Sequence, residues 1–445
     1  MLRLLLKLLF PTIILLFFTA CAQKNLDTEV NDLKIYKQNA DEYTNSLPYF
    51  EKNMQEKLNK EFDERYFKPW HKERFEASIE DVTWQFKYKN KKVYGDNLRL
   101  LSKEWFEKQI ENSNFERYNS FLRKAITVKN SDLRVFPTNS KIFYNPKKAG
   151  EGFPFDYNQN SGIKINSPIL ISHFSKDRAW VYVLSSFAKG WIKVTDMAYV
   201  DEKIINFFEN QNYYIAMKDN FPIYKKGVFV EYIKLGTLFP LKNKKAITVG
   251  RFADNQGYIR LIDIPNIYME KKPIEFNSEN ISKLINELIE EPYGWGEALN
   301  HRDCSALTKD FFTPFGINLK RNSYGQTLDY KYYDLSKFSD KSKKEFIIKN
   351  AVPFLSLGYL KGHIMIYIGQ KDGEPLFFHN VWGVKTKDIF GNEGRKIVGK
   401  AVITSLNMGE EINSFDGNKS LVSRLIGLVN LSQEKEPKTN SSLDK

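Results

Sequence analysis

Between Ala125 and Pro273 the chain breaks into short β-branched and aromatic runs, among them "SPILISHFS", "AWVYVLSS", "NYYIAMKDN" and "GYIRLIDIP", separated by Gly, Pro, Asn and Asp. Runs of that length and spacing read as small all-β barrels, because such short strands are stable only in a closed sheet. The stretch is too long for one minimal barrel. It suits two in tandem, over 125–200 and 201–273.

Helical patterns flank this β block. Upstream, "LPYFEKNMQEKLNKEFDERYFKPW" reads as a helix stopped by Pro69, and "LRLLSKEWFEKQIENS" as a second one after Gly95. Trp70 and His71 read there as packing and surface residues. With the polar tether after residue 21, this gives a helical region to residue 124. Downstream, Ile281, Leu284, Ile285, Leu288 and Ile289 follow helical spacing until Pro292. The block 274–431 then alternates helix and strand, and 432–445 is a polar tail expected to be disordered. The fold class is therefore α+β and multidomain.

The first twenty residues read as an export signal. Arg3 and Lys7 precede an apolar run from Leu8 to Phe18 that is too short for a membrane span. The run ends in "FFTAC", which resembles a bacterial lipobox and implies lipidation of Cys21. More than one acyl chain there would give lasting membrane attachment. Ala22 follows instead of aspartate, so retention at the inner membrane is not signalled. The expected location is the cell envelope, lipid-anchored on the periplasmic face of the outer membrane. The net charge is +13, with scattered lysines. For an exported chain this excludes nucleic acid as a partner and leaves anionic envelope polymers.

The chain has two cysteines. If Cys21 is acylated, Cys304 is a lone thiol that cannot form an intramolecular disulfide, so it is either buried and inert or chemically employed. It lies in "HRDCSALTKDFF", with Asp303 as a helix N-cap and good helix formers after it. A cysteine in the first turn meets the positive end of the helix, which lowers its pKa toward the thiolate. His363 opens the alternating strand "GHIMIYIG", and the hairpin signal Asp372-Gly373 leads into "PLFFHNVWG" with His379. A two-residue turn would place His363 opposite Trp382, so a bulge or twist must bring the two imidazoles together. No metal or other cofactor is implied: His71, His173 and His301 show no ligand spacing.

"YGWGEALNHRDCSALTKDFFTPFGINLKRNSYGQ" resembles the catalytic segment of the NlpC/P60 cysteine peptidases, and "FKPWHKERF", "YGDNL", "DLRVFPTN", "AGEGFPFDYNQNS" and "GWIKVTD" occur in the order of that family's multidomain branch. The resemblance implies a papain-like catalytic domain, two SH3-like barrels, with "KGWIKVTD" the closing strand of the first, and a helical N-terminal clip. It implies that Cys304 is the nucleophile, His363 the base, His379 the orienting residue (with Asn380 as the alternative) and Tyr293 a support for the oxyanion. It assigns Asp303 and Ser305 to substrate binding, at the free amine and D-glutamate carboxylate of a peptidoglycan stem peptide. Glu297 stands where the family has a second glycine, and Ala306 where it has another. Arg321, Asn322 and Gln326 read as structural.

The implied activity is hydrolysis of the γ-D-glutamyl–diamino acid bond of stem peptides, those with a free N-terminal L-Ala, because the first barrel would wall off the cleft. Asp156 and Tyr157 are the expected contacts in that wall. The alternatives are a catalytically inactive peptidoglycan-binding lipoprotein, and an amidase or acyltransferase on the same fold.

Overall fold

The structure, a computed structural model, describes residues 30–45, 47–209 and 213–435. The export signal and Cys21 lie outside the described residues. Among those described, no helix is long and apolar enough to cross a membrane.

The helical region consists chiefly of Lys52–Phe67 and Lys103–Asn112, with short helical turns between them. The first ends before Pro69, as its sequence requires. The second starts later than the pattern predicts, because Leu100 is taken up in a bridge with Tyr94 and Ser102 caps the helix. Trp70 is buried and donates its indole N–H to the Ala125 carbonyl at 2.7 Å, while His71 is exposed beside Glu209.

Seven antiparallel strands form the first barrel: β1 (Arg123–Thr127), β2 (Ser131–Arg134), β3 (Gln159–Ile163), β4 (Pro168–Phe174), β5 (Trp180–Leu184), β6 (Lys189–Lys193) and β7 (Met197–Tyr199). Their order is β3-β2-β6-β5-β4-β1-β7. "KGWIKVTD" is therefore not the last strand: it supplies β6, inside the sheet, and β7 follows to pair with β1.

The next β unit begins with the helix Glu202–Glu209. Its strands are β8 (Tyr213–Ala216), β9 (Phe221–Lys225), β10 (Val228–Ile233), β11 (Leu238–Lys242), β12 (Lys245–Arg251), β13 (Gly257–Ile262) and β14 (Met269–Lys271). They form a five-stranded sheet, β13-β12-β11-β8-β14, and a β9–β10 hairpin.

The C-terminal domain packs the helices Ser278–Leu288 and Cys304–Phe312 on a six-stranded sheet. Its strands are β15 (Tyr330–Asp334), β16 (Ser356–Leu360), β17 (His363–Lys371), β18 (Glu374–Lys387), β19 (Glu393–Ser405) and β20 (Leu425–Glu434), in the order β15-β20-β16-β17-β18-β19. One continuous apolar core joins this domain to its neighbours, with Phe62, Phe208, Leu284, Phe311 and Ile364 in the same cluster. The N-terminal segment also reaches across. Gln38 brackets Ile403 of β19, donating to its carbonyl at 2.9 Å and accepting from its N–H at 2.8 Å, and Asp32 accepts from the Ser405 N–H at 2.7 Å.

Candidate active site

Cys304 is the first residue of its helix. Asp303 caps that helix by accepting the Ala306 N–H at 2.8 Å. The helix lies against β17, where the backbone N–H of Ile364 is directed at the Cys304 sulfur. His363 is the residue before Ile364, at the start of the same strand.

The β17–β18 hairpin turns at Asp372-Gly373, and its register shifts between Tyr367 and Gly369. This bulge at Ile368 puts odd-numbered residues of both strands on one face. It is the irregularity that the spacing demanded, and it brings His363 Nε2 to 2.8 Å from His379 Nδ1. The far nitrogen of His379 meets Thr404 Oγ1 at 2.9 Å, and that hydroxyl donates to the Ser405 carbonyl at 3.0 Å. The proton positions follow from this chain. Thr404 has given its only hydrogen to Ser405, so it accepts from His379 Nε2–H. His379 Nδ1 then accepts from His363 Nε2–H, which leaves His363 Nδ1 with a free lone pair. Burial keeps both rings neutral: His363 is pushed down to about 3, and His379 well below its usual value by burial and then by His363. Asn380 does a different job. Its amide donates to the Arg302 carbonyl at 2.9 Å and so ties the loop before Cys304 to β18.

The thiol corrects one expectation. Burial pushes Cys304 up to about 12, the Asp303 carboxylate adds to the rise, and the N–H groups of Ile364 and Ser305 oppose it only in part. The helix N-terminus is present, but desolvation outweighs it, so the resting group is a thiol and not a standing thiolate.

Asp303 is more heavily used than its sequence position shows. Besides the cap, it accepts from the Gly296 N–H at 3.1 Å, from Ser305 Oγ at 3.0 Å, and from Arg321 through Nη1 at 3.1 Å and Nη2 at 2.9 Å. Five donors fill a carboxylate, so a substrate amine near Asp303 would be held by charge unless it displaces one of them. Asp303 is kept below the usual carboxylate range by Arg321 in spite of its burial. Arg321 also donates to Ser305 Oγ at 3.0 Å. Sequence reading took this arginine as structural; its position in the cleft, on Asp303 and Ser305 together, is a long-range fact that local pattern does not carry.

The cleft beside Cys304 measures about 490 Å³ and has walls from three regions. The C-terminal domain contributes Tyr293, Asp303, Cys304, Ser305 and Arg321; the first barrel contributes Tyr157, Gln159 and Lys189; the helical region contributes Asp81, Trp84 and Tyr88. Tyr293 is raised well above 10 by burial and by Cys304, so it remains a phenol able to donate. Aromatic contacts hold the barrel loop to this wall: Phe155 lies 5.2 Å from Trp295 and 6.1 Å from Trp382, and Tyr157 lies 5.8 Å from Trp295 (ring centroids). Of the two expected loop contacts, Tyr157 lines the cleft. Asp156 does not: it is buried in the barrel, paired with Arg134 at 2.9 Å.

Behind the loop, Arg302 is buried in an ion cluster. It donates to Asp219 at 2.9 and 3.0 Å, to Glu291 at 2.7 Å and to Asp310 at 2.7 Å. Lys234 adds contacts to Asp219 at 2.6 Å and to Glu291 at 3.3 Å, and Lys164 one to Asp310 at 2.5 Å. Lys309 stands 3.9 Å from Asp310, so four cations meet three anions, drawn from both β units and the C-terminal domain. Among the described residues, no group of three or more His, Cys, Asp and Glu side chains is arranged to hold a metal ion.

Comparison with known proteins assigns the parts. Residues 290–396 match the model of the NlpC/P60 family, and residues 10–118 match that of the NLPC_P60 N-terminal stabilising domain. Residues 141–193 match an SH3 domain of the SH3b1 type. The chain carries an NlpC/P60 domain together with that family's N-terminal stabilising domain and an SH3 domain. Its NlpC/P60 domain is thus the one that holds Cys304, and its first barrel is the SH3b1 domain. An NlpC/P60 endopeptidase from Photobacterium damselae subsp. piscicida is similar in structure, with a TM-score of 0.84 at 23% identity over 90% of this chain and 98% of that one. An NlpC/P60 family protein from Bacillus cereus aligns over 69% of this chain and 99% of its own, at 15% identity and a TM-score of 0.46. A search of curated proteins finds no match.

Proposed function

We propose that this NlpC/P60 protein is a cell-wall cysteine endopeptidase that hydrolyses the γ-D-glutamyl–diamino acid bond of peptidoglycan stem peptides, with free N-terminal L-Ala peptides as its substrates. The observation that carries the reading is the His363–His379–Thr404 hydrogen-bond chain beside the strand whose Ile364 N–H meets the Cys304 sulfur, with Cys304 in a cleft walled by the SH3b1 barrel.

In this reaction the Cys304 sulfur attacks the γ-carbonyl carbon while its proton passes to His363 Nδ1. Because the resting thiol is neutral, proton transfer accompanies attack. The Tyr293 phenol donates to the developing oxyanion. Collapse breaks the C–N bond, and the diamino acid amine leaves with the proton from His363. Water then attacks the thioester, gives its proton to His363, and the thiol is restored. His379 holds the base in the correct tautomer. Ser305 and Arg321 face the place where the D-glutamate α-carboxylate would lie.

The SH3b1 wall supports the short-substrate preference. Tyr157 and Gln159 of the barrel line the cleft, and a stem still joined to muramic acid brings a bulky sugar to that wall. Lipidation of Cys21, and with it outer-membrane anchorage facing the periplasm, belongs to the same proposal. Mass spectrometry of digests of defined muropeptides tests the function. Release of L-Ala-γ-D-Glu from a free tripeptide, with the muramyl tripeptide intact, is the expected result. Equal rates on both would refute the size limit. Cleavage of a different amide would favour the amidase or acyltransferase, and binding without turnover the inactive wall-binding lipoprotein.

A further inference from the structure

Glu297 occupies an expensive position. Its backbone is left-handed, with φ 63° and ψ 24°, a region that glycine enters freely and glutamate does not. Its carboxylate lies 2.8 Å from Arg321 Nε and accepts from Ser161 Oγ of the SH3b1 barrel at 2.8 Å. Gly162 packs against it so closely that an added Cβ would come within 2.9 Å of Glu297 Cβ. An acidic side chain is thus kept at a strained position, one layer behind the cleft, in contact with the cleft's arginine.

The charges around the site show what it contributes. Four charged side chains line the cleft, Asp81 and Asp303 against Lys189 and Arg321, and they cancel. Cys304, His363, His379 and Tyr293 are all neutral at rest. Glu297 shares Arg321 with Asp303, so at this point of the wall one cation serves two carboxylates.

We propose that Glu297 sets the charge of the cleft through Arg321, and thereby its preference for peptides that carry an ammonium on the amino side of the D-glutamyl residue. The inference rests on the endopeptidase reading above. Glu297 does not touch substrate; it is a positioning residue, and its effect is on the sign of the field in a partly enclosed site, where screening is weak.

The test uses two peptides of equal size, L-Ala-γ-D-Glu-diamino acid and its L-lactoyl counterpart, in which a hydroxyl replaces the ammonium. In the full chain, Glu297→Gln is expected to lower kcat/KM on the ammonium peptide by about tenfold while the lactoyl peptide changes by less than about twofold. Glu297→Asp should keep most of the preference. Glu297→Gly, whose backbone suits the left-handed conformation, should show the same selective loss without a lower melting temperature than the Gln variant, which separates charge from folding. A wall that Glu297 merely props would change both peptides alike; losses of equal size on the ammonium and the lactoyl peptide overturn the inference and leave the endopeptidase reading standing. Cleavage of neither peptide by the wild type overturns that reading, and this inference with it.

Discussion

Asp219 is the residue through which the second β unit grips the loop that carries Asp303 and Cys304, and replacing it by Asn tests that grip. Its carboxylate accepts from Arg302 twice, from Lys234 at 2.6 Å and from the Leu235 N–H at 2.7 Å. The Arg302 side chain is only 1% exposed, so water cannot take over the lost contacts. Asp219→Asn removes a carboxylate that Arg302 and Lys234 share and leaves Arg302, buried, short of one of its three anionic partners. Breaking a buried pair from one side costs about 3 kcal/mol or more. At 1.36 kcal/mol per factor of ten, that is about a hundredfold. A chain of several domains need not unfold in one step, so the readout is local: amide hydrogen exchange, by mass spectrometry, in peptides covering residues 294–310. Protection there should fall about a hundredfold, with much smaller changes in the far strands of the SH3b1 barrel. Adding Lys234→Met removes the second cation that Asp219 serves, and should recover more than half of the lost protection. If the double variant loses the sum of the single losses, charge pairing is not what holds the loop and the reasoning fails.

Cys304→Ala and His363→Ala should each abolish turnover with the circular dichroism spectrum unchanged, since nucleophile and base act as one unit. Thr404→Val keeps the shape but removes the acceptor that fixes the His379 tautomer; kcat should fall about tenfold or more, with KM little changed, and an unaltered kcat would remove Thr404 from the relay. The pH dependence follows from the two imidazoles. Both have folded pKa values depressed below the unfolded 6.5, so the unfolded chain binds more protons as pH falls. Their contribution is fully present above about pH 6.5 and is lost as pH drops toward 3, at about 1.4 kcal/mol per pH unit for each ring that titrates. Denaturation at pH 7, 6 and 5 should show this slope in the wild type and a shallower one in His379→Gln.

What the sequence disclosed, and what it hid, divides by range. The Asp303 cap, the helix from Cys304 and the Asp372-Gly373 turn are written in neighbouring residues, and all were readable. The meeting of the histidines was half readable: the spacing demanded a bulge without placing it at Ile368. Thr404, Arg321 and the Asp219 contact are joined to the site only through the fold, so no local pattern could have pointed to them. The thiol shows the same limit in energetic form. A helix N-terminus is visible in sequence and the burial that overrides it is not. "KGWIKVTD" was readable as a strand, but its place inside the sheet depends on β7, three residues long and without a pattern of its own.

The bracket that Gln38 and Asp32 place on β19 also bears on when the enzyme comes into being. The segment that finishes the last strand of the NlpC/P60 sheet is among the first made, and its partners come some 365 residues later. During synthesis that segment has nothing to dock on until almost the whole chain has followed. Contacts this distant in sequence form late and slowly. The arrangement therefore behaves as an assembly timer: His379 and Thr404 stand on the two strands that arrive near the end, the N-terminal segment closes over them afterwards, and a partly emerged chain carries no finished cleft with which to cut the cell's own wall.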